Sequence, residues 1–103
     1  MSQGYKDIAS LDKLIHQPAR LAIMAILYSC DSADFVYLQN ATGLTKGNLS
    51  SHLSKLEEAG YIKISKGFKG KFPHTTCSLT EKGRRAFADY WAKWRDLAER
   101  IGG

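Results

Sequence analysis

An uninterrupted apolar run, Leu21–Tyr28, constrains the fold more than any other feature of the sequence. With Ala19 and Arg20 added in front of it, the segment has the length of a helix rather than that of a strand. A helix that is apolar on nearly every side belongs in the middle of a small core. Pro18 suits the first turn of this helix, because its missing N–H would have no intrahelical partner there.

The size of the chain sets the number of domains. Its 103 residues, 44% of them hydrophobic, suit a single domain over residues 1–103. The longest stretch without a charged residue has eleven residues, whereas a membrane-spanning helix needs about twenty apolar ones. The N-terminus lacks the apolar stretch of a signal peptide, and two cysteines are too few for a disulfide framework. These features predict a soluble, cytoplasmic protein without a membrane partner.

Shorter apolar patterns flank the central run. Ile8, Leu11, Leu14 and Ile15 recur at helical spacing and predict a short leading helix. After the run, residues 30–34 are polar and predict a loop.

Residues 35–59 have the pattern of a helix–turn–helix. Phe35, Leu38 and Ala41 mark its first helix, which Gly43 ends. Another helix follows directly, so the two are joined by a short turn. It is called the third helix below, counted from the central apolar run.

The third helix has a clear start, a clear buried face and a clear end. Thr45 is a good N-cap residue. Leu49, Leu53 and Leu56 fall at positions i, i+4 and i+7, so they bury one stripe of the helix. Gly60 ends it.

The hydrophobic pattern changes from helical to alternating at residues 61–79. Ile62 and Ile64 face one side of a predicted strand, while the residues between them face the other side. A glycine-containing loop over residues 67–73 and a β-branched strand over residues 75–79 complete a predicted hairpin.

The third helix turns small, hydrogen-bonding side chains outward instead of the usual mixture of glutamate and lysine. Gly47 and Ser51 lie opposite the leucine stripe, and Asn48 and Lys55 lie on one shoulder. Such side chains hold phosphates or hydrogen-bond base edges in the major groove of DNA. The alternative is an ordinary surface helix.

The net charge of +5 is concentrated in the middle of the chain, where residues 45–72 carry six lysines and two glutamates. In the third helix Lys46 stands at the N-terminus and Glu57 and Glu58 stand in the last turn, the reverse of what the helix dipole favours. Phosphates would supply the missing anion at the N-terminus. For the lysines of the hairpin, the alternative is a solvated turn that discourages edge-to-edge aggregation.

Residues 43–62 read GLTKGNLSSHLSKLEEAGYI, which resembles the recognition-helix signature of MarR/ArsR-type winged-helix transcriptional regulators. Residues 66–75 match the wing pattern Lys-x-Phe-x-Gly-Lys-x-Pro-x-Thr of its small single-domain members, and residues 79–84 resemble the Leu-Thr-x-x-Gly-Arg segment that begins their last helix. Residues 16–21 resemble the start of their first core helix. The resemblance covers about residues 14–98. It implies a mainly α winged helix–turn–helix fold with a small β-hairpin and a long C-terminal helix.

This resemblance implies a sequence-specific transcriptional regulator that binds double-stranded DNA. The third helix would lie in the major groove, and the lysine-bearing hairpin, or wing, would contact the flanking backbone. Asn48 is the best candidate for a base contact, through adenine, and the lysines suit phosphates. The candidate DNA contacts are Thr45, Lys46, Asn48, Ser50, Ser51, His52, Lys55, Lys66, Lys69 and Lys71.

The last helix lies within about residues 80–101. Thr80 is its capping residue, and residues 81–101 would span about 31 Å. Its aromatic stripe has the spacing of a helix that pairs with a second helix. We predict a homodimer that places two recognition helices about 34–36 Å apart on DNA. The alternative is that the stripe packs on the chain's own first helix. The predicted interface residues are Phe87, Tyr90, Trp91, Trp94, Ala98 and Ile101.

The sequence carries no carboxylate pair, nucleophile motif or phosphate-cradling loop, which argues against an enzyme. No cofactor or metal is predicted, since the three histidines are scattered and the Cys-x-Cys pair of metal-sensing ArsR relatives is missing. Cys30 and Cys77 are interpreted as small buried hydrophobes, with a redox pair as the alternative.

Two questions of function stay open at this point. A small-molecule effector is compatible with the resemblance, but no polar cluster indicates one. A protein-interaction module that uses the winged-helix shape and the aromatic helix is the second interpretation of the chain.

Overall fold

The structure, a computed structural model, describes residues 11–102. In this range the chain forms four helices and a three-stranded antiparallel sheet. The elements in chain order are α1 (Pro18–Tyr28), β1 (Ala33–Asp34), α2 (Phe35–Thr42), α3 (Lys46–Glu58), β2 (Ile62–Lys69), β3 (Phe72–Leu79) and α4 (Glu81–Gly102). The fold is a winged helix–turn–helix with a long C-terminal helix, as predicted.

The apolar run forms the central helix, because α1 contacts α2, α3, α4 and β3. Pro18 stands in its first turn, and the Gln17 side chain caps it by accepting the Arg20 N–H at 2.9 Å. No helix within residues 11–102 is long and apolar enough to cross a membrane. The buried core consists of Leu11, Ile15, Ile23, Met24, Leu27, Ala33, Leu38, Leu49, Leu53, Leu56, Ile62, Cys77, Phe87 and Tyr90.

One side of α1 reaches the surface, which the apolar run did not predict. Ala25 and Tyr28 are exposed. The ring of Tyr28 contacts two side chains of α4, with the Phe87 ring centroid at 5.0 Å and the Arg84 guanidinium 5.2 Å from the Tyr28 ring centroid. The outer face of α1 is therefore partly covered by the last helix.

The segment before α1 differs from the predicted leading helix. Ile8 lies outside the described residues, and residues 11–17 form turns. The Asp12 carboxylate organises these turns by accepting the backbone N–H groups of Leu14 and Ile15 at 2.9 and 3.3 Å. The turns still bury Ile15 in the core. The apolar residues of this segment therefore serve the core, although the backbone that carries them is not helical.

The two helices of the helix–turn–helix begin at capping side chains. Asp34 caps α2 by accepting the Tyr37 N–H at 2.7 Å, and Gly43 ends the helix with φ at 72°. Thr45 caps α3, as predicted, by accepting the Asn48 N–H at 3.2 Å.

The end of α3 is a Schellman motif, which turns the chain into the wing. The N–H of Gly60, at φ 80°, donates to the Glu57 carbonyl at 2.9 Å, and the Tyr61 N–H donates to the Leu56 carbonyl at 3.0 Å. The predicted leucine stripe of α3 is buried.

The hairpin is longer than the sequence predicted. Residues 67–73 do not form an open loop, because β2 and β3 remain paired until Lys69 faces Phe72. Gly70 and Lys71 are the two residues between these strands, and Gly70 has the positive φ, 66°, that such a tight turn requires.

A third strand, β1, occupies part of the segment predicted as a polar loop. Ala33 and Asp34 pair with Cys77 and Thr76. This pairing ties the start of the helix–turn–helix to the base of the wing. The pairing of β1 with β3 does not extend to Pro73, which pairs only with β2. Proline has no N–H to donate, so it fits β3 only where one edge of the strand is free.

The start of α4 is fixed against the base of the wing. The Thr80 hydroxyl accepts the Gly83 N–H at 3.0 Å and donates to the Gly60 carbonyl at 2.5 Å. A Cβ on Gly83 would lie 2.0 Å from the carbonyl oxygen of Tyr61. Only glycine fits this close approach, which accounts physically for the glycine of the Leu-Thr-x-x-Gly-Arg segment.

The structure corrects the predicted interface for two of its six residues. Phe87 and Tyr90 are 8% and 3% exposed and lie in the chain's own core. Phe87 packs on Tyr28, and the Tyr90 hydroxyl is 2.7 Å from Nδ1 of His16. These two rings face α1 and the turns before it, as the alternative interpretation required. The other four predicted interface residues are exposed: Trp91, Trp94, Ala98 and Ile101.

Candidate nucleic-acid interface

The polar face of α3 is open along its length. No residue in the described range hydrogen-bonds the side-chain carboxamide of Asn48, and a Cβ added to Gly47 would meet no atom within 4 Å. This face therefore presents free donors and acceptors on a surface that another molecule can approach closely. The predicted contacts of α3 that are exposed are Lys46, Asn48, Ser50, Ser51 and Lys55, together with the capping residue Thr45.

His52 differs from its neighbours because it is half-buried beside α1. Its Nδ1 atom lies 3.2 Å from a guanidinium nitrogen of Arg20, whose Nε donates to the Leu14 carbonyl at 2.7 Å. Burial lowers the pKa of His52, and the positive charges of Arg20 and Lys55 lower it further. Both effects favour the neutral form of His52.

The contact with Arg20 also fixes the tautomer of His52. A guanidinium group can only donate hydrogen bonds, so Nδ1 must accept, and the single proton of the neutral ring must be on Nε2. In its neutral form the His52 ring therefore presents an N–H donor on α3.

A cleft of about 400 Å³ lies between α3 and the wing. Lys46 and Ser50 line its α3 side, and Lys66 lines its wing side. The fold thus brings together three predicted contacts that come from two separate elements. A ligand that spans the cleft would touch α3 and the wing at the same time.

The outer half of the wing carries the remaining predicted lysines. Lys69 and Lys71 are exposed near the hairpin turn and do not line the cleft. Residues 59–80 contain four lysines and no acidic residue. The wing is therefore a uniformly positive projection beside the polar face of α3.

Asp34 is the acidic group that lines the cleft, and its interactions are internal. The backbone N–H of Tyr37 lowers the pKa of the Asp34 carboxyl, with smaller contributions from His74 and Lys69. Nε2 of His74 lies 3.7 Å from the carboxylate. Asp34 thus joins α2 to β3 and steadies the wing.

Sequence reasoning missed two residues at this surface. Arg20 contacts the ring of His52, which lies 32 residues further along the sequence. A local sequence pattern cannot predict a contact between residues so far apart. Asp34 could have been recognised as an N-cap residue before Phe35.

Residues 11–102 contain no group of three or more His, Cys, Asp or Glu side chains that could hold a metal ion. Burial raises the pKa of the Cys77 thiol to about 11, so this thiol is protonated at neutral pH. Cys30 is half-buried, and its Sγ lies 3.3 Å from the Ile26 carbonyl.

The fold is that of a winged-helix protein, and comparison with known families agrees with this class. The model of the winged helix DNA-binding domain family matches residues 19–97. The chain belongs to this family.

Individual proteins have a similar sequence or a similar fold. The uncharacterized protein MJ0432 of Methanocaldococcus jannaschii is 38% identical over 90 residues, which cover 86% of this chain and 97% of the relative. A transcriptional regulator homologue from Pyrococcus horikoshii OT3 has a similar solved structure, with a TM-score of 0.87 at 27% identity, over 96% of this chain and 97% of that one. A protein assigned to the MarR family from Enterococcus faecalis V583 shares the fold, with a TM-score of 0.73 at 20% identity, over 95% and 87% of the two chains.

Proposed function

We propose that the protein is a sequence-specific transcriptional regulator that binds double-stranded DNA as a homodimer. The observation that carries this proposal is the exposed polar face of α3 beside an acid-free, lysine-rich wing across one cleft. Both surfaces suit a polyanion with hydrogen-bonding groups between its charges, which is the chemistry of a DNA groove.

In this proposal α3 enters the major groove, which is about 12 Å wide and admits one helix. Thr45, Lys46 and Ser50 lie at the N-terminal half of α3, where the helix dipole favours phosphate. The Asn48 carboxamide has the donor and acceptor pair that adenine requires. The Nε2–H of His52 is a donor for a phosphate or a base acceptor at the side of the helix.

The wing contacts the backbone beside the groove. Lys66 reaches it from the edge of the cleft, and Lys69 and Lys71 reach it from the outer half of the hairpin. These contacts add affinity without adding base preference, because phosphates are the same at every step.

The assigned roles of Asn48 and Lys69 predict two different mutant phenotypes. Asn48→Ala should relax the preference at one base position at a cost of about 1–3 kcal/mol, because a base contact is lost. Lys69→Ala should weaken binding to all sequences alike, because a phosphate contact is lost. The measurement is the affinity of each variant for a set of duplexes that differ at single positions.

Thermal unfolding serves as the control for both variants, since each side chain is exposed and neither change should disturb the fold. Equal losses across all duplexes for both variants would contradict the role assigned to Asn48.

The proposed dimer uses the outer part of α4. Among residues 91–102, only Leu97 is buried. The other side of this helix is polar and carries three i,i+4 ion pairs, Glu81–Arg85, Asp89–Lys93 and Asp96–Arg100. A helix with exposed tryptophans on one side and ion pairs on the other is suited to pair with a copy of itself.

Placing a charge on the aromatic side of α4 should abolish the dimer. Trp91→Lys puts an ammonium group where Trp91 is 51% exposed and is proposed to pack on the second copy. Ala92→Lys is the matched control, because it adds the same charge one residue away on the polar side of the helix. In sedimentation equilibrium at micromolar concentration we expect a monomer for the first variant and a dimer for the second. A wild-type monomer under these conditions would refute the proposed interface.

Selection of binders from a random duplex library tests the function as a whole. Enrichment of one motif establishes sequence-specific binding, and a two-fold symmetric motif with half-sites about one helical turn apart establishes that a dimer binds. Failure to enrich any duplex would remove the basis of the proposal.

A further inference from the structure

The wing carries two phenylalanines whose exposure the proposed backbone contacts do not explain. Phe68 and Phe72 are 76% and 77% exposed, more than any other large hydrophobic residue in the described part of the chain. Within that part, neither ring packs against another aromatic ring. A partner that covered rings this open to water would gain free energy from burying them.

The two rings lie on opposite faces of the hairpin near its turn. Phe68 pairs with Pro73 across the ribbon, and the next pair, Lys69 with Phe72, closes the hairpin. Successive pairs in a β-ribbon point to opposite faces, so one ring projects from each face. The outer part of the wing is therefore a ribbon with an apolar surface on both faces.

The charges around the rings identify the kind of partner. Lys66, Lys69 and Lys71 neighbour them along the hairpin, and residues 59–80 contain no acidic side chain. Asp34, the acidic group that lines the cleft beside the wing, is engaged by Tyr37 and His74. A partner for this surface must be polyanionic and must also offer apolar contacts. DNA grooves meet both conditions, because sugars and base faces lie between the phosphates.

We propose that the outer end of the wing enters the minor groove and that the rings of Phe68 and Phe72 act as an apolar wedge that widens the groove and kinks the duplex. This inference rests on the proposed DNA binding and adds a shape-dependent component to it. The lysines around the rings hold the phosphates on the two edges of the groove.

The dimensions of the ribbon require the DNA to deform. The minor groove of B-DNA is about 6 Å wide. A β-ribbon with side chains on both faces is about 10 Å thick, the spacing at which sheets stack. The rings therefore enter only where the groove opens, and pyrimidine–purine steps such as TA and CA open most easily. The wing thereby selects flanking sequence through its deformability, without hydrogen bonds to bases.

The test compares three proteins on random duplexes of about 30 base pairs, long enough for two half-sites with flanks. They are the wild type, the double variant Phe68→Ala/Phe72→Ala and the charge variant Lys69→Ala/Lys71→Ala. Selection gives the flanking preference, and energy transfer between dyes at the two ends of the selected duplex gives its bend. Because both rings are mostly exposed, the double variant should fold as the wild type does, which thermal unfolding checks.

We expect the wild type to enrich TA or CA steps beside its recognition motif and to bend the duplex. The ring variant should lose both properties and bind about tenfold more weakly, while keeping the recognition motif. The charge variant should bind more weakly with a smaller salt dependence but should still bend the DNA that it binds.

An unchanged affinity, bend and flanking preference in the ring variant would overturn the wedge while leaving DNA binding intact. A change in self-association of the ring variant, with DNA binding unaltered, would also overturn it and would make the rings a protein contact. If the wild type enriches no duplex, the proposed function itself fails.

Discussion

Replacing Gly83 with alanine is expected to destabilise the fold by about 3 kcal/mol or more. The new Cβ would lie 2.0 Å from the Tyr61 carbonyl oxygen and 2.8 Å from its carbonyl carbon. Both are backbone atoms, so no side chain can rotate away to make room. The Tyr61 carbonyl also accepts the Thr80 N–H at 3.0 Å, so moving either segment breaks the joint between α4 and the wing. A loss of this size lowers the melting temperature of a domain of this length by about 15 °C.

Gly47→Ala is the matched control for this experiment. Gly47 is also a helical glycine, but a Cβ there meets nothing within 4 Å. Alanine has the higher helix propensity, so this variant should gain up to about 1 kcal/mol. Chemical denaturation of both variants at one pH measures the difference. A Gly83→Ala protein as stable as the wild type would show that the close approach of α4 to Tyr61 does not exist.

The parts of the fold that the sequence predicted correctly are those that local chemistry decides. Thr45 caps α3 through an N–H three residues away, and Gly60 ends it through a positive φ. The leucine stripe of α3 is a periodicity within one helix. Each of these signals lies within a few residues of the structure that it specifies.

The features that the sequence did not predict depend on distant partners. β1 is a strand only because Cys77 and Thr76 lie beside it, and its two residues carry no alternation of their own. Arg20 meets His52 only after α1 and α3 have packed together. The stripe of α4 showed the right spacing, but spacing cannot tell whether Phe87 and Tyr90 face the chain's own core or a second copy.

Duplex DNA binding is expected to weaken about five hundredfold between about 50 and 200 mM salt. The proposed face carries Lys46 and Lys55 on α3 and the exposed Lys66, Lys69 and Lys71 on the wing. Five phosphate contacts give a slope of about −4.5 in a plot of log affinity against log salt concentration, because each contact releases a condensed cation. A titration with one fixed duplex across this salt range measures the slope.

The variant Lys69→Ala/Lys71→Ala should lower the magnitude of this slope by about one for each phosphate contact that is lost. Lys93→Ala is the control, because Lys93 pairs with Asp89 on α4, on the polar side of that helix, and removing it should leave the slope unchanged. The same experiment separates the two interpretations of the chain. A module that binds a protein through exposed Trp91 and Trp94 would bury apolar surface, and its affinity would change little with salt. A slope near zero for duplex DNA would therefore refute a phosphate-binding face on α3 and the wing.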